Sequence, residues 1–354
     1  MGWPLLGREG HAMVSFGGYR ALLRHAKGAV FVASLLGCAT SPAFAAEPDA
    51  GWYADLDALW LQRDQGNNIT LVDNRVGTTQ VSSLTTHSVS YKLRTGGKLR
   101  IGRRYDAHNS VEAAFFTVQK WKGSASNVPG AATPSSAASV GISLVNMAVI
   151  SRIDANFSSQ LYSGEINMRH TLDSGATSFL GGIRYLQVPD NLTIQAVDIP
   201  SGITDTTSIA TRNQLIGLQV GGEHDFNLGG GGFVFSAKGG VFLNMNKQSM
   251  VETTNAPSPP YLNGTLINFA GSQNSLASML EAGARVYFNV NDHVSLQGGY
   301  QLMAIGGLAL APEQIALLGN AAFVGARAIN GSAGTNHNGT MFLHGLYVGM
   351  NVRW

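Results

Sequence analysis

From residue 52 to the end of the chain, apolar and polar residues alternate in runs of strand length, and the gaps between the runs alternate short and long. A period of two puts successive side chains on opposite faces of a strand. Residues 52–62 set Trp52, Ala54, Leu56, Ala58 and Trp60 on one face and Asp55 and Asp57 on the other. Residues 98–105 oppose Leu99 and Ile101 to Lys98, Arg100 and Arg104, and residues 109–121 oppose Val111, Ala113 and Phe115 to Ser110 and Glu112. The same alternation sets Ile166 and Met168 against Glu165 and Arg169, Phe179 and Ile183 against Arg184, and Leu218 and Val220 against Glu223. It continues with Phe235 and Val241 against Lys238, Leu280 and Val286 against Glu281 and Arg285, and Leu296 and Leu302 against Gln297 and Gln301. A final run covers residues 342–354.

These runs predict about ten strands, an even number, as in single-chain bacterial barrels. The gaps at about 64–92, 122–159, 189–211, 245–275 and 304–341 are long, and the four between them are turn-like. One such turn is Asp106-Ala107-His108 and another is Asn291-Asp292. Short turns on one side and long loops on the other are the layout of a transmembrane barrel, with the short turns in the periplasm. The predicted fold is therefore all-β: an antiparallel transmembrane β-barrel of about 10 strands with long extracellular loops. The count becomes 12 if a loop segment such as residues 143–153 also crosses. The glycine run 229–232 precedes a strand and does not open a helix, so it reads as a hairpin turn and not as a phosphate cradle.

Composition agrees. Charged residues make up 12% of the chain, about half the usual share, and the mean hydropathy is +0.06. A chain that faces lipid on one side of each strand averages out this way. The net charge of +2 and the lack of a basic cluster point away from nucleic acid. No run after residue 45 is long and apolar enough for a transmembrane helix. The first 45 residues read as a cleaved signal peptide: Arg20, Arg24 and Lys27, then an apolar run at 29–36, then Ala43-Phe44-Ala45 as the cleavage site. Cys38 is the one cysteine, and cleavage after Ala45 removes it. Residues 46–354 are then the barrel, and its location the outer membrane.

The polar faces carry Asp55, Asp57, Glu112, Glu165, Glu223 and Glu281 with Lys98, Arg100, Arg104, Arg169, Arg184, Lys238, Arg285 and Arg353. In a ten-strand barrel the lumen is little wider than side chains can fill. A salt-bridge and hydrogen-bond network plugging the lumen is the first reading, and a small-solute path lined by the same charges is the second. The closing strand sets Leu346, Val348, Met350, Val352 and Trp354 on one face. Gly349, Val352 and the terminal Trp354 fit the signal read by the barrel-assembly machinery. Residues 308–318 predict a short apolar helix, with Pro312 in its first turn and Gly319 past its end, able to cap the barrel mouth.

Motifs for a cofactor, a metal or a nucleophile are absent from the sequence, so no cofactor, metal or catalytic residue is expected. A rim-active hydrolase like the omptins, also ten-stranded barrels, is a third reading. It would draw on His87, His337, His344, Asp64, Asp73 and Asp190, but no omptin-like motif pair is visible. The expected partners are outer-membrane lipid, the assembly machinery and a surface partner through the long loops, with the oligomeric state open.

Gly299-Tyr300-Gln301-Leu302, followed by Ala309-Leu310-Ala311-Pro312-Glu313-Gln314, resembles a signature of outer-membrane β-barrel proteins from planctomycete-type bacteria. Gly182-Ile183-Arg184-Tyr185-Leu186, the segment 213–219 and the opening strand resemble that family too. The resemblance runs from about residue 51 to the end. It implies an exported outer-membrane barrel and brings no catalytic or ligand residues with it.

Overall fold

The computed structural model describes residues 51–76, 79–128, 151–255, 264–315, 329–332 and 334–354. The predicted signal peptide and most of the segment 143–153 lie outside the described residues. Ten strands build the wall: β1 (Gly51–Arg63), β4 (Arg94–Arg104), β5 (Asn109–Asn127), β6 (Arg152–Thr171), β7 (Thr177–Asp198), β8 (Ile203–Asn227), β9 (Gly231–Thr254), β10 (Gly264–Asn289), β11 (Val294–Leu308) and β13 (Gly339–Arg353). Each pairs antiparallel with its neighbours in the order β11-β13-β1-β4-β5-β6-β7-β8-β9-β10, and β10 pairs β11 to close the ring. Closure leaves no unpaired edge facing lipid, which a membrane requires. A hairpin of β2 (Thr70–Val76) and β3 (Thr79–Thr85) stands between β1 and β4, and β12 (Ile329–Ser332) adds a short parallel pairing to β10.

Both chain ends of the barrel meet at the short-turn rim, where Trp52 and Trp354 exchange backbone hydrogen bonds of 2.8 and 3.0 Å. The lipid-facing positions are those the period of two selects: Leu56, Ile166, Leu218, Leu280 and Val348 are all exposed large apolar side chains. Trp52 and Trp354 lie at one end of this band, and Trp60 and Tyr300 at the other. The eight steps from Trp52 to Trp60 span roughly 26 Å along the strand, or about 20 Å once tilted, close to the apolar band of an outer-membrane barrel.

Crossing takes about 9–11 residues, yet β7, β8, β9 and β10 have 22, 25, 24 and 26. The gaps expected as loops at 189–211 and 245–275 are in large part continued wall beyond the membrane. Residues 192–196 keep the period of two, with Leu192, Ile194 and Ala196 inward, but Thr193 and Gln195 outward instead of apolar residues. Away from lipid the outer face has no reason to be apolar, so the strand signal weakens although the ladder continues. The hairpin between β7 and β8 turns within residues 199–202, where Gly202 takes φ +68°, a left-handed conformation that glycine adopts without strain.

Candidate functional site

The lumen has three levels, set by which residues the inward positions carry. Nearest the short-turn rim is an open vestibule, next a layer of ion pairs, and above that an apolar core that continues past the membrane.

The ion-pair layer brings the predicted charges together in two chains. In the first, Arg100 Nε donates to Asp55, Arg169 bridges Glu112 at 3.3 Å and Glu223 at 2.8 Å, and Arg100 lies 3.6 Å from Glu112. Asn351 Nδ2 donates to the other oxygen of Asp55 at 2.7 Å, and the Tyr53 hydroxyl donates to Glu112 at 2.9 Å. In the second, Arg184 lies 2.8 Å from Glu281 and 3.3 Å from Glu165, and Lys238 lies 2.8 Å from Glu165. Gln219 Nε2 donates to Glu165 at 2.8 Å, and Arg184 Nε donates to Ser163 at 2.9 Å. Asp57 accepts from Gln297 Nε2 at 2.6 Å. Lys98 borders the same gap as Glu165, Arg184 and Glu281 with no carboxylate within 4.0 Å among the described residues. That gap is about 10 Å³, room for one water at most. Arg104 and Arg285 line the vestibule below instead.

Above the charges the inward face turns apolar. Leu59, Leu61, Phe116, Val118, Trp121, Leu161, Leu186, Leu215, Phe242, Met303 and Leu343 form one buried cluster. The chain leaving β11 folds down into it: every residue from 308 to 315 is buried, with one 3-10 turn at Pro312–Gln314. Pro312 takes the first-turn position as expected, although the turn is shorter than the helix predicted over 308–318, and residues 316–318 lie outside the described residues. Polar hooks on the wall hold the segment. The Ala309 N–H donates to Asn213 Oδ1 at 2.7 Å, Asn213 Nδ2 returns a bond to the Ala309 carbonyl at 2.8 Å, and Asn244 Nδ2 donates to the Gly307 carbonyl at 2.9 Å.

Asp190, expected at the rim, is buried and pairs with Arg63 at 2.6 Å, and its second oxygen accepts the Ala311 N–H at 2.9 Å. The Arg63 guanidinium also stacks 4.9 Å over the Tyr91 ring. One ion pair thus ties β1, β7 and the inserted segment together. Continuing the inward parity of β1 from Asp57 through Leu59 and Leu61 reaches Arg63. Continuing that of β7 from Arg184 reaches Asp190. The signal was present one or two strand steps beyond the positions read as strand ends.

The other residues of the rim reading do not converge. His344 lies within β13 on its outer face, where the Tyr300 hydroxyl is 2.6 Å from its Nδ1 and Asp64 is 3.7 Å from its Nε2. His87 is 3.2 Å from the Gly66 carbonyl, His337 is 3.4 Å from that of Thr335, and the Asp73 side chain lies outside the described residues. No group of three or more His, Cys, Asp or Glu side chains able to hold a metal occurs among the described residues.

At the closing strand, a Cβ on Gly349 would stand 2.3 Å from the Leu56 carbonyl oxygen and 2.1 Å from Asp57 Oδ1, so only glycine fits. Trp354 stays exposed on the lipid side of the rim.

A family model described as "Putative beta barrel porin-7 (BBP7)" matches residues 62–354. It upholds the barrel family that the motifs resemble, and a planctomycete origin is not part of it. No curated protein is matched by sequence similarity. Among solved structures, the chain is similar to the outer membrane protease OmpT from Escherichia coli, at 10% identity over 89% of this chain and 99% of that one, with a TM-score of 0.39. It is also similar to the translocator domain of the autotransporter NalP from Neisseria meningitidis, at 11% identity over 86% and 89%, with a TM-score of 0.40. Nothing that those proteins do transfers at such values.

Proposed function

The chain belongs to the BBP7 family and is an integral outer-membrane β-barrel; from that premise we propose that it works with a closed lumen, as a structural or surface-interaction protein without catalysis. The observation that carries this reading is the burial of residues 308–315 inside the barrel, pinned through Asp190 and Asn213. The ion-pair layer beneath supports it, because the gap beside Lys98, Glu165, Arg184 and Glu281 is about 10 Å³, room for one water at most. Contacts with partners belong to the wall that rises above the membrane and to the loops around it. The second reading is a small-solute channel, the role that the word porin in the family's description names.

Planar-bilayer recording separates the two. The closed barrel gives no steady current, and the double variant Asp190→Ala/Asn213→Ala, which unhooks the inserted segment, raises the frequency of brief openings. A steady conductance in the unaltered protein, changed by Arg184→Gln, would overturn the closed reading.

Two further proposals concern biogenesis. Residues 1–45 are a cleaved export signal, supported by the charged, apolar and small-residue regions in that order. Gly349, Val352 and Trp354 form the assembly signal, supported by their place on the strand that closes the barrel against β1.

A further inference from the structure

The charges of the lumen balance in the ion-pair layer and fail to balance below it. The vestibule at the short-turn rim is a recess of about 300 Å³. Five arginines line it with Glu223 and Asp225, and counting Asp55 and Glu112, which contact Arg100 and Arg169 from behind, the group carries an excess of one positive charge with its histidine neutral. Arg100 and Arg169 are engaged by Asp55, Glu112 and Glu223. The remaining three, Arg104, Arg285 and Arg353, have no carboxylate within 4.0 Å among the described residues. Arg285 feels Asp225 and Glu223 only across a longer distance, and the hydrogen bonds of Arg285 and Arg353 go to neutral groups. Arg285 Nη1 donates to Gln297 at 3.2 Å while its Nε, shielded from solvent, has no partner. Arg353 Nε donates to Asn351 at 2.9 Å.

Guanidinium groups with no carboxylate in contact repel one another, and a recess with low-dielectric walls focuses their field. Packing alone gives no reason to gather three of them there. Each presents a planar fork of donors that matches the two oxygens of a carboxylate or phosphate. The recess is large enough for a small solute and is closed above by the ion pairs, so an anion that enters stops against Arg100 and Arg169.

We propose that the vestibule binds small oxyanionic solutes, phosphate- or carboxylate-bearing, from the periplasmic side. The inference goes beyond the closed-lumen reading and rests on it only for why the anion halts there. Lipid headgroups are separated from the recess by the barrel wall, so the ligand is a solute.

The test is titration calorimetry with inorganic phosphate on the refolded barrel in a sugar-headgroup detergent, at constant ionic strength against chloride. Saturable binding at one site is expected. Arg285→Gln and Arg353→Gln should each weaken it about tenfold, the loss of one charge-assisted hydrogen bond. The triple variant with Arg104→Gln should abolish it. Arg212→Gln, on the far side of the barrel, should leave it unchanged. Because a triple variant can fold poorly, amide hydrogen exchange on the unaltered protein gives an independent readout: phosphate should slow exchange near residues 285–289 and 351–353 and not at 205–212. Equal heats for phosphate and chloride, undiminished affinity in a folded triple variant, or no local protection would each overturn the proposal.

Discussion

Arg184→Met probes the ion-pair layer at its most connected cation. The guanidinium is 2% exposed, 2.8 Å from Glu281 and 3.3 Å from Glu165. At an effective dielectric of 20 those contacts correspond to gross attractions of about 6 and 5 kcal/mol, set against desolvation of several kcal/mol per ion. The net effect depends on what is left behind. Glu165 keeps Lys238 at 2.8 Å, whereas Glu281 has no other cation within 4.0 Å among the described residues. Stranding a fully buried carboxylate costs about 3–5 kcal/mol; Glu281 keeps 15% of its side chain exposed, so the expected loss for Arg184→Met lies at the low end, about 3 kcal/mol. Adding Glu281→Gln removes the stranded charge and should recover at least about 2 kcal/mol of it, a coupling of the size that contacting residues show. Guanidinium unfolding in detergent, followed by tryptophan fluorescence and by the heat-modifiable gel band, measures both. Trp121 is a suitable reporter because it is fully buried in the core above the charges. A loss below about 1 kcal/mol, or a double variant no more stable than the single one, would refute the argument that the charges hold one another in place.

Gly349→Ala should lower the refolding yield, because its Cβ collides with the Leu56 carbonyl; overpacking of this kind costs about 1–3 kcal/mol. Gly164→Ala, where an added Cβ meets nothing within 4 Å, is the neutral control. Deleting Trp354 should reduce insertion into the outer membrane in cells while leaving refolding in detergent nearly intact, and normal insertion would count against its role as a signal. In the β4–β5 turn the Asn109 side chain and the His108 and Asn109 N–H groups hold the Asp106 carboxyl below its ordinary value. Its contribution to the turn is therefore complete above the unfolded value of about 3.9 and is lost as pH falls through the lower folded value. The His108 and Asn109 amide resonances should titrate with a midpoint below that of a free aspartate; a midpoint at or above it would refute the assignment.

Where the chain crosses lipid, the fold was legible because two solvents act on one strand. Leu56 and Asp57 are neighbours with opposite fates, and a period of two records that directly. The ion-pair partners were legible as a set but not as pairs: nothing local indicates that Arg184 meets Glu281, 97 residues away, instead of Lys98's strand neighbour Asp57. Above the membrane the contrast inverts. Leu192 and Ile194 point inward and Thr193 outward, so the apolar face changes sides relative to Ile183 and Tyr185, which face lipid. A reading that looks for apolar residues on the lipid face loses the strand at that point and reports a loop. Arg63 and Asp190 were lost with it, since each lies at such a crossing point. The descent of residues 308–315 into the lumen depends on Asn213, Asn244 and Asp190, contributed by three different strands, and no local pattern encodes that meeting.

The seal has a further consequence for the choice between a closed barrel and a channel. Opening the lumen means withdrawing Leu308, Leu310 and Ile315 from the core and breaking the Arg63–Asp190 pair. Exposing three such side chains costs about 1.5–3 kcal/mol each, and breaking a buried pair adds about 3 kcal/mol or more. The sum is at least about 7 kcal/mol, so spontaneous opening populates about one molecule in 10⁵. A ligand can shift that equilibrium only by its difference in affinity between the two states, so it would have to favour the open state by about the same factor of 10⁵. The oxyanion vestibule does not meet this need, because Arg104, Arg285 and Arg353 lie below the ion pairs and face the same recess whether the upper lumen is sealed or not. A channel would therefore require a second ligand acting from the outer side on the inserted segment. The closed barrel requires none, and its vestibule faces the compartment from which a small anion can reach it.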